Sequence, residues 1–157
     1  MKIAVVMGSK SDLPKLEGGI ELMRSFGVDV VVRILSAHRT PAALTQFLEE
    51  IKDDTDVIIA AAGKAAHLPG VVAAQTLIPV VGLPIKSSTM DGLDSLLSMV
   101  QMPSGIPVAT VTIDSGTNAA LMALQIAAIK SSELRSKLAD YRQKMAEKVL
   151  ADDASIQ

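Results

Sequence analysis

The chain holds two histidines, His38 and His67, and no cysteine, so proton transfer near neutral pH falls to a small set of side chains. His38 stands in Ser36-Ala37-His38-Arg39-Thr40-Pro41, beside an arginine, a serine and a helix start. Together these could bind a phosphate and supply a titratable proton carrier. A neighbouring guanidinium and the positive end of a helix both favour the neutral imidazole, the form a general base needs. The plainer reading has Arg39 in a surface ion pair and His38 packed at a strand end.

Two more polar segments invite the same question. Gly8-Ser9-Lys10-Ser11-Asp12 is a glycine turn with two hydroxyls entering a helix, which offers backbone N–H groups and a favourable dipole to an anion. Taken alone it reads as a cap, with Ser11 or Asp12 satisfying backbone donors. It lacks both the later glycines of a dinucleotide fingerprint and the Gly-Lys-Ser/Thr of a phosphate loop. The loop Gly63 to Gly70, with Ala65-Ala66-His67-Leu68-Pro69 inside it, has little to hydrogen-bond except backbone and one imidazole. It could wrap a planar ligand or hold a small neutral molecule against apolar walls. It reads equally as a tight, buried turn with His67 a satisfied core residue.

The elements that must position these segments follow from hydrophobic patterning. Ile3 to Met7, Val28 to Leu35, Val57 to Ala61, Val80 to Leu83 and Val108 to Val111 are short apolar, β-branched runs suited to buried strands. Leu13, Leu16, Ile20 and Met23 mark a helix face, and Gly18 and Gly19 weaken that helix in a way that suits close packing. Thr40-Pro41 opens a second helix in cap and first-turn order, with a core stripe at Leu44, Phe47, Leu48 and Ile51. Leu93 to Met99, Asn118 to Lys130 and Glu133 to Leu150 are further helices; Ala119 to Ile129 is apolar nearly all round and needs cover on more than one side. Ala151 to Gln157 reads as a loose tail. Strands alternating with helices predict a three-layer α/β sandwich with a parallel central sheet and a C-terminal helix. In such sheets ligands bind beyond the carboxyl ends of the strands, so all three polar segments fall on one rim.

Composition narrows the function. The 157 residues suit one domain, 1–157, and a net charge of −2 with only three aromatic residues argues against a basic, base-stacking nucleic-acid surface. The lack of cysteine excludes disulfides, thiolate catalysis and iron–sulfur clusters, and two histidines argue against a metal site. Ala65 to Ile85 carries no formal charge and is long enough to span a bilayer, but Pro69, Gly70, Pro79, Gly82 and Pro84 interrupt it. It reads as buried loop, helix and strand. The apolar run at the N-terminus is too short for a signal peptide, which points to a cytoplasmic protein without membrane attachment. The apolar excess fits subunit contacts in an obligate oligomer.

The three segments, in order and at matching spacing, resemble the signature segments of the bacterial N5-carboxyaminoimidazole ribonucleotide mutases, the PurE family of purine biosynthesis. Similarity extends through Gly92 to Ser98, Val100 to Pro103 and Asn118 to Ala120, nearly the whole chain. The resemblance implies a flavodoxin-like domain assembled as a homo-octamer with a small-molecule nucleotide substrate. It implies conversion of N5-carboxyaminoimidazole ribonucleotide to 4-carboxy-5-aminoimidazole ribonucleotide without metal, biotin or nucleotide cofactor. In the family's mechanism the carbamate releases CO2, carbon 4 attacks it in a closed pocket, and a histidine removes the carbon-4 proton. Carried over by position, His38 is that proton carrier, and Ser9, Asp12 and Arg39 bind the ribose phosphate. Ser36 supports the phosphate site, and His67 with Ala65, Ala66 and Leu68 lines the base and CO2 pocket. The chain departs from the pattern at Lys64, where a glycine is usual, and at Asp114-Ser115-Gly116-Thr117, where a glycine-lysine segment is common.

Two rivals follow. One is direct carboxylation of aminoimidazole ribonucleotide by CO2. The other is a non-enzymatic flavodoxin-like module, but no aromatic falls on the expected rim for a flavin. The third strand ends Ala60-Ala61-Ala62-Gly63, without a phospho-receiver's aspartate.

Overall fold

The computed structural model describes residues 1–88 and 90–157. Its strands are β1 (Lys2–Met7), β2 (Asp29–Ile34), β3 (Val57–Gly63), β4 (Val80–Ile85) and β5 (Ala109–Thr110), paired in parallel in the order β2-β1-β3-β4-β5. Its α-helices are α1 (Leu13–Ser25), α2 (Pro41–Ile51), α3 (Leu68–Ala73), α4 (Leu93–Val100), α5 (Gly116–Ala127) and α6 (Ser132–Ala154).

Strand period decides the layers. Ile3, Val5 and Met7 of β1 and Val57, Ile59 and Ala61 of β3 join Leu16, Ile20 and Met23 of α1, Ala120 and Leu124 of α5 and Leu134 of α6 in one core. The alternate residues Ala4, Val6, Ile58 and Ala60 join Leu44, Phe47 and Ile51 of α2, Val72 of α3 and Met99 of α4 in the other. The three-layer sandwich with a C-terminal helix is therefore as expected. The apolar stretch from Ala119 to Ile129 finds much of its cover inside the chain, since Ala119, Ala120, Ala123, Leu124, Ala127 and Ala128 are buried against the sheet, α1 and α6.

Helix starts differ from expectation where side chains found other partners. Neither Ser11 nor Asp12 caps α1: Ser9 caps the preceding 3-10 turn, Lys10–Asp12, its Oγ accepting from the Ser11 amide at 3.3 Å. Thr40 precedes α2 as expected, but its Oγ1 turns back to accept from the Ser36 amide at 2.9 Å. Ser115 and Ser131 cap α5 and α6 through the amides of Asn118 and Leu134, which starts both helices before the first apolar residue of their stripes. The expected loose tail is a correction. The helix runs on through Ala151–Ala154 because no breaker intervenes, and the Ser155 amide closes it on the Ala151 carbonyl at 3.1 Å.

Of the two glycines in α1, Gly19 carries the close packing. A Cβ there would lie 2.3 Å from the Gly116 carbonyl oxygen, and one on Gly116 would lie 2.1 Å from the Lys15 carbonyl oxygen. At Gly18 a Cβ would meet nothing nearer than Thr117 Oγ1 at 3.9 Å. Among the described residues no helix is long and apolar enough to cross a membrane.

Candidate active site

The carboxyl ends of β1, β2, β3 and β4 open into one cavity of about 530 Å3. In a sheet of this order the crevice at the reversal between β1 and β3 is where ligands bind.

The first wall is the turn after β1. Ser9 Oγ accepts from the Ser11 amide, and Ser11 Oγ donates to Ser9 Oγ at 2.8 Å, with Asp12 Oδ1 3.3 Å away. Asp12 is 8% exposed, and burial pushes its carboxyl above the ordinary aspartate range, against the opposing pull of the Ser11 hydroxyl and the Arg39 charge.

The second wall follows β2. Arg39 donates through Nη2 to the Gly8 carbonyl at 2.6 Å and through Nε to Ser36 Oγ at 3.3 Å, so its guanidinium ties this loop to the first. A guanidinium has five N–H donors, and these two contacts leave others for an anion. The surface ion pair weighed for Arg39 is absent among the described residues, because a carbonyl and a hydroxyl take its place.

The third wall is the loop after β3. His67 Nδ1 stands 2.9 Å from His38 Nε2, with the rings nearly perpendicular at 82°. One of these nitrogens carries the hydrogen and the other accepts it. Both residues are exposed, which removes the packed strand-end reading of His38 and the core reading of His67. Ala65 and Leu68 line the cavity with them. Ala66 does not: it is 1% exposed and packs in the core beneath α2 and α3. Small-residue composition alone could not tell which of two adjacent alanines faces in.

Sequence reasoning missed the fourth wall, Ile85, Lys86 and Ser87. The fourth strand, expected over Val80 to Leu83, continues through Pro84 to Ile85. The signal was present in the polar run Lys86-Ser87-Ser88 after it, a strand followed by hydroxyls as after the first two strands. The Lys86 amide donates to Asp114 Oδ1 at 2.8 Å, while Lys15 Nζ lies 2.8 Å from Asp114 Oδ2. Burial works to raise the Asp114 carboxyl, but the Lys15 ion pair and the Lys86 amide together hold it below the ordinary range. Both departures from the family pattern, Lys64 at φ +58° and Asp114 at φ +59°, sit in left-handed backbone, the conformation a glycine accepts most easily.

Phe26, Phe47 and Tyr141 are all outside the cavity, so the stacking surface a flavin requires is not built here. A parallel α/β sheet whose switch-point cavity joins an arginine and hydroxyls to a pair of imidazoles has the framework of a ligand-binding enzyme of the α/β class.

Comparison with known proteins makes the assignment specific. The AIR carboxylase family profile matches residues 2–148, and the chain belongs to that family. It is 53% identical to the N5-carboxyaminoimidazole ribonucleotide mutase of Pyrococcus abyssi over 92% of this chain and 83% of that protein. It is 51% identical to that of Methanocaldococcus jannaschii over 98% and 96%. The chloroplastic phosphoribosylaminoimidazole carboxylase of Vigna aconitifolia is 48% identical, but the match covers 27% of that longer protein. The crystal structure of Treponema denticola PurE superposes with a TM-score of 0.92 at 30% identity, covering 99% of this chain and 98% of that one.

Proposed function

We propose that this chain is an N5-carboxyaminoimidazole ribonucleotide mutase of de novo purine synthesis. The observation that carries the reading is the meeting of the His38–His67 pair with the Ser9, Asp12, Ser36 and Arg39 walls in one cavity.

The residues divide the substrate between them. Arg39, Ser9 and Ser36 take the ribose phosphate, using charge-assisted and hydroxyl donors at the start of a helical segment. Asp12 takes a ribose hydroxyl, a donor that suits a carboxylate. His38 and His67 face the reacting carbon of the aminoimidazole, and Ala65 and Leu68 supply an apolar enclosure that retains CO2.

The reaction balances without net proton exchange. The bond between the exocyclic nitrogen and the carboxyl carbon breaks, CO2 leaves and the nitrogen gains a proton. Carbon 4 then attacks CO2 and loses its proton, which restores the aromatic ring. A group that gives one proton and takes one back must end as it began, and His38, hydrogen-bonded to a second imidazole, suits that cycle.

The same reading makes residues 1–157 one catalytic unit, working in the cytoplasm as a homo-octamer. Leu93, Leu97 and Val100 form an exposed apolar stripe on α4, and Met122, Ile129, Met145 and Val149 are also uncovered, in keeping with subunit contacts.

The test is to supply synthetic carbamate substrate without ATP and follow the 4-carboxy product. Product formed at full rate without added bicarbonate is the expected result. A requirement for bicarbonate together with the uncarboxylated ribonucleotide would assign direct carboxylation instead.

A further inference from the structure

Lys64 is held in a backbone conformation that disfavours every residue with a Cβ, at φ +58°. Two tight turns follow it directly, the Ala66 amide donating to the Lys64 carbonyl at 2.8 Å and the His67 amide to the Ala65 carbonyl at 2.7 Å. Strain kept by surrounding structure at a cavity wall calls for a role. Of the other cations lining the cavity, Arg39 is tied to the Gly8 carbonyl and Ser36 on the wall assigned to phosphate, and Lys86 is paired with Asp91 at 3.0 Å. Among the described residues the Lys64 ammonium has no ion pair and no hydrogen bond.

We propose that Lys64 binds the carboxylate at the reacting end of the substrate and so sets a preference for carboxylated over uncarboxylated ribonucleotide. The inference rests on the mutase reading. The carbon whose proton reaches the histidines is the carbon that takes the carboxyl group, so that carboxylate is one bond from the atom facing His38 and His67. Lys64 stands three residues before His67 on the same short loop, whereas Arg39 and Ser9 lie on the walls assigned to phosphate. A compact ammonium is also a suitable partner for a group that shifts from nitrogen to carbon, because it needs no fixed fork geometry.

The experiment is calorimetric titration of the wild type, Lys64→Gly and Lys64→Arg with two ligands, the 4-carboxy product and the ribonucleotide lacking the carboxyl. Lys64→Gly relieves the backbone and so folds. It should weaken the carboxylated ligand roughly tenfold, the size of a charge-assisted contact, and leave the uncarboxylated one within about twofold. Lys64→Arg should keep the wild-type preference. Equal weakening of both ligands places Lys64 on the phosphate or in the loop's order and overturns the inference, as does no weakening of either. Wild-type turnover of the carbamate, measured alongside, reports on the mutase reading separately.

Discussion

His38 Nε2 and His67 Nδ1 are 2.9 Å apart across a cavity wall contributed by two different loops, so the two imidazoles share one hydrogen between facing nitrogens. In the proposed mechanism His38 carries the proton, and replacing it tests that role. His38→Asn keeps a polar side chain but cannot carry a proton near neutral pH, so turnover should fall roughly 10²- to 10⁴-fold. The exposed position means the fold should survive, and calorimetric binding of the 4-carboxy product should remain. Retained turnover in the folded variant would transfer the proton-carrier role to His67.

If Arg39 binds the phosphate as proposed, Arg39→Ala removes a contact that is the same in ground and transition states. KM should rise roughly 10- to 100-fold with kcat little changed. A steady-state profile with lowered kcat and unchanged KM would count against the phosphate role.

Asp12 gives a pH dependence of definite sign. Burial raises its folded value above the unfolded one, so ionising it costs the fold stability. That cost is absent below the ordinary carboxylate range and fully present above the raised value. Asp12→Asn should therefore stabilise the protein at pH 7 and have no such effect near pH 3, while weakening substrate. Thermal unfolding of both proteins at the two pH values decides it, and a gain confined to acid would contradict the assignment.

Glycine substitutions in the helix pair should have opposite signs. Gly116→Ala forces a Cβ to 2.1 Å from the Lys15 carbonyl oxygen and should cost about 3 kcal/mol or more. Gly18→Ala meets only Thr117 Oγ1, in ordinary contact at 3.9 Å, and should gain up to about 1 kcal/mol from helix propensity. Chemical denaturation measures both, and a neutral Gly116→Ala would mean the helices can separate freely.

If the proposed assembly covers the exposed apolar stripe on α4, the oligomer should persist on dilution. Sedimentation at micromolar concentration should show no monomer, and a stable monomer there would remove the assembly from the proposal.

What the sequence made legible was whatever depends on periodicity. The continuous apolar runs Ile3–Met7 and Val57–Ala61 set the strands, and three strand-then-polar segments located three walls of the site. What it left obscure depends on where single side chains turn. Thr40 has the type and place of a cap, but its hydroxyl serves Ser36. Ala65 and Ala66 are indistinguishable by type, yet one lines the cavity and the other is core. The fourth wall was missed with the strand that bears it: β4 runs two residues past Leu83, through Pro84 to Ile85, and brings Lys86 and Ser87 to the cavity. The apolar helix after Ser115 was read as needing outside cover that α1 and α6 largely provide.

The contact of Gly19 with Gly116 acts as a gauge block for the site above it. Two stretches of main chain meet with no side chain between them, so the distance from α1 to α5 cannot drift when core residues are exchanged for larger or smaller ones. The turn bearing Ser9 and Asp12 leads into α1, and Asp114, which fixes the Lys86 wall, stands two residues before α5 begins. The span between the Ser9 wall and the fourth wall is thereby held by backbone packed on backbone, which the size of the interior side chains does not set.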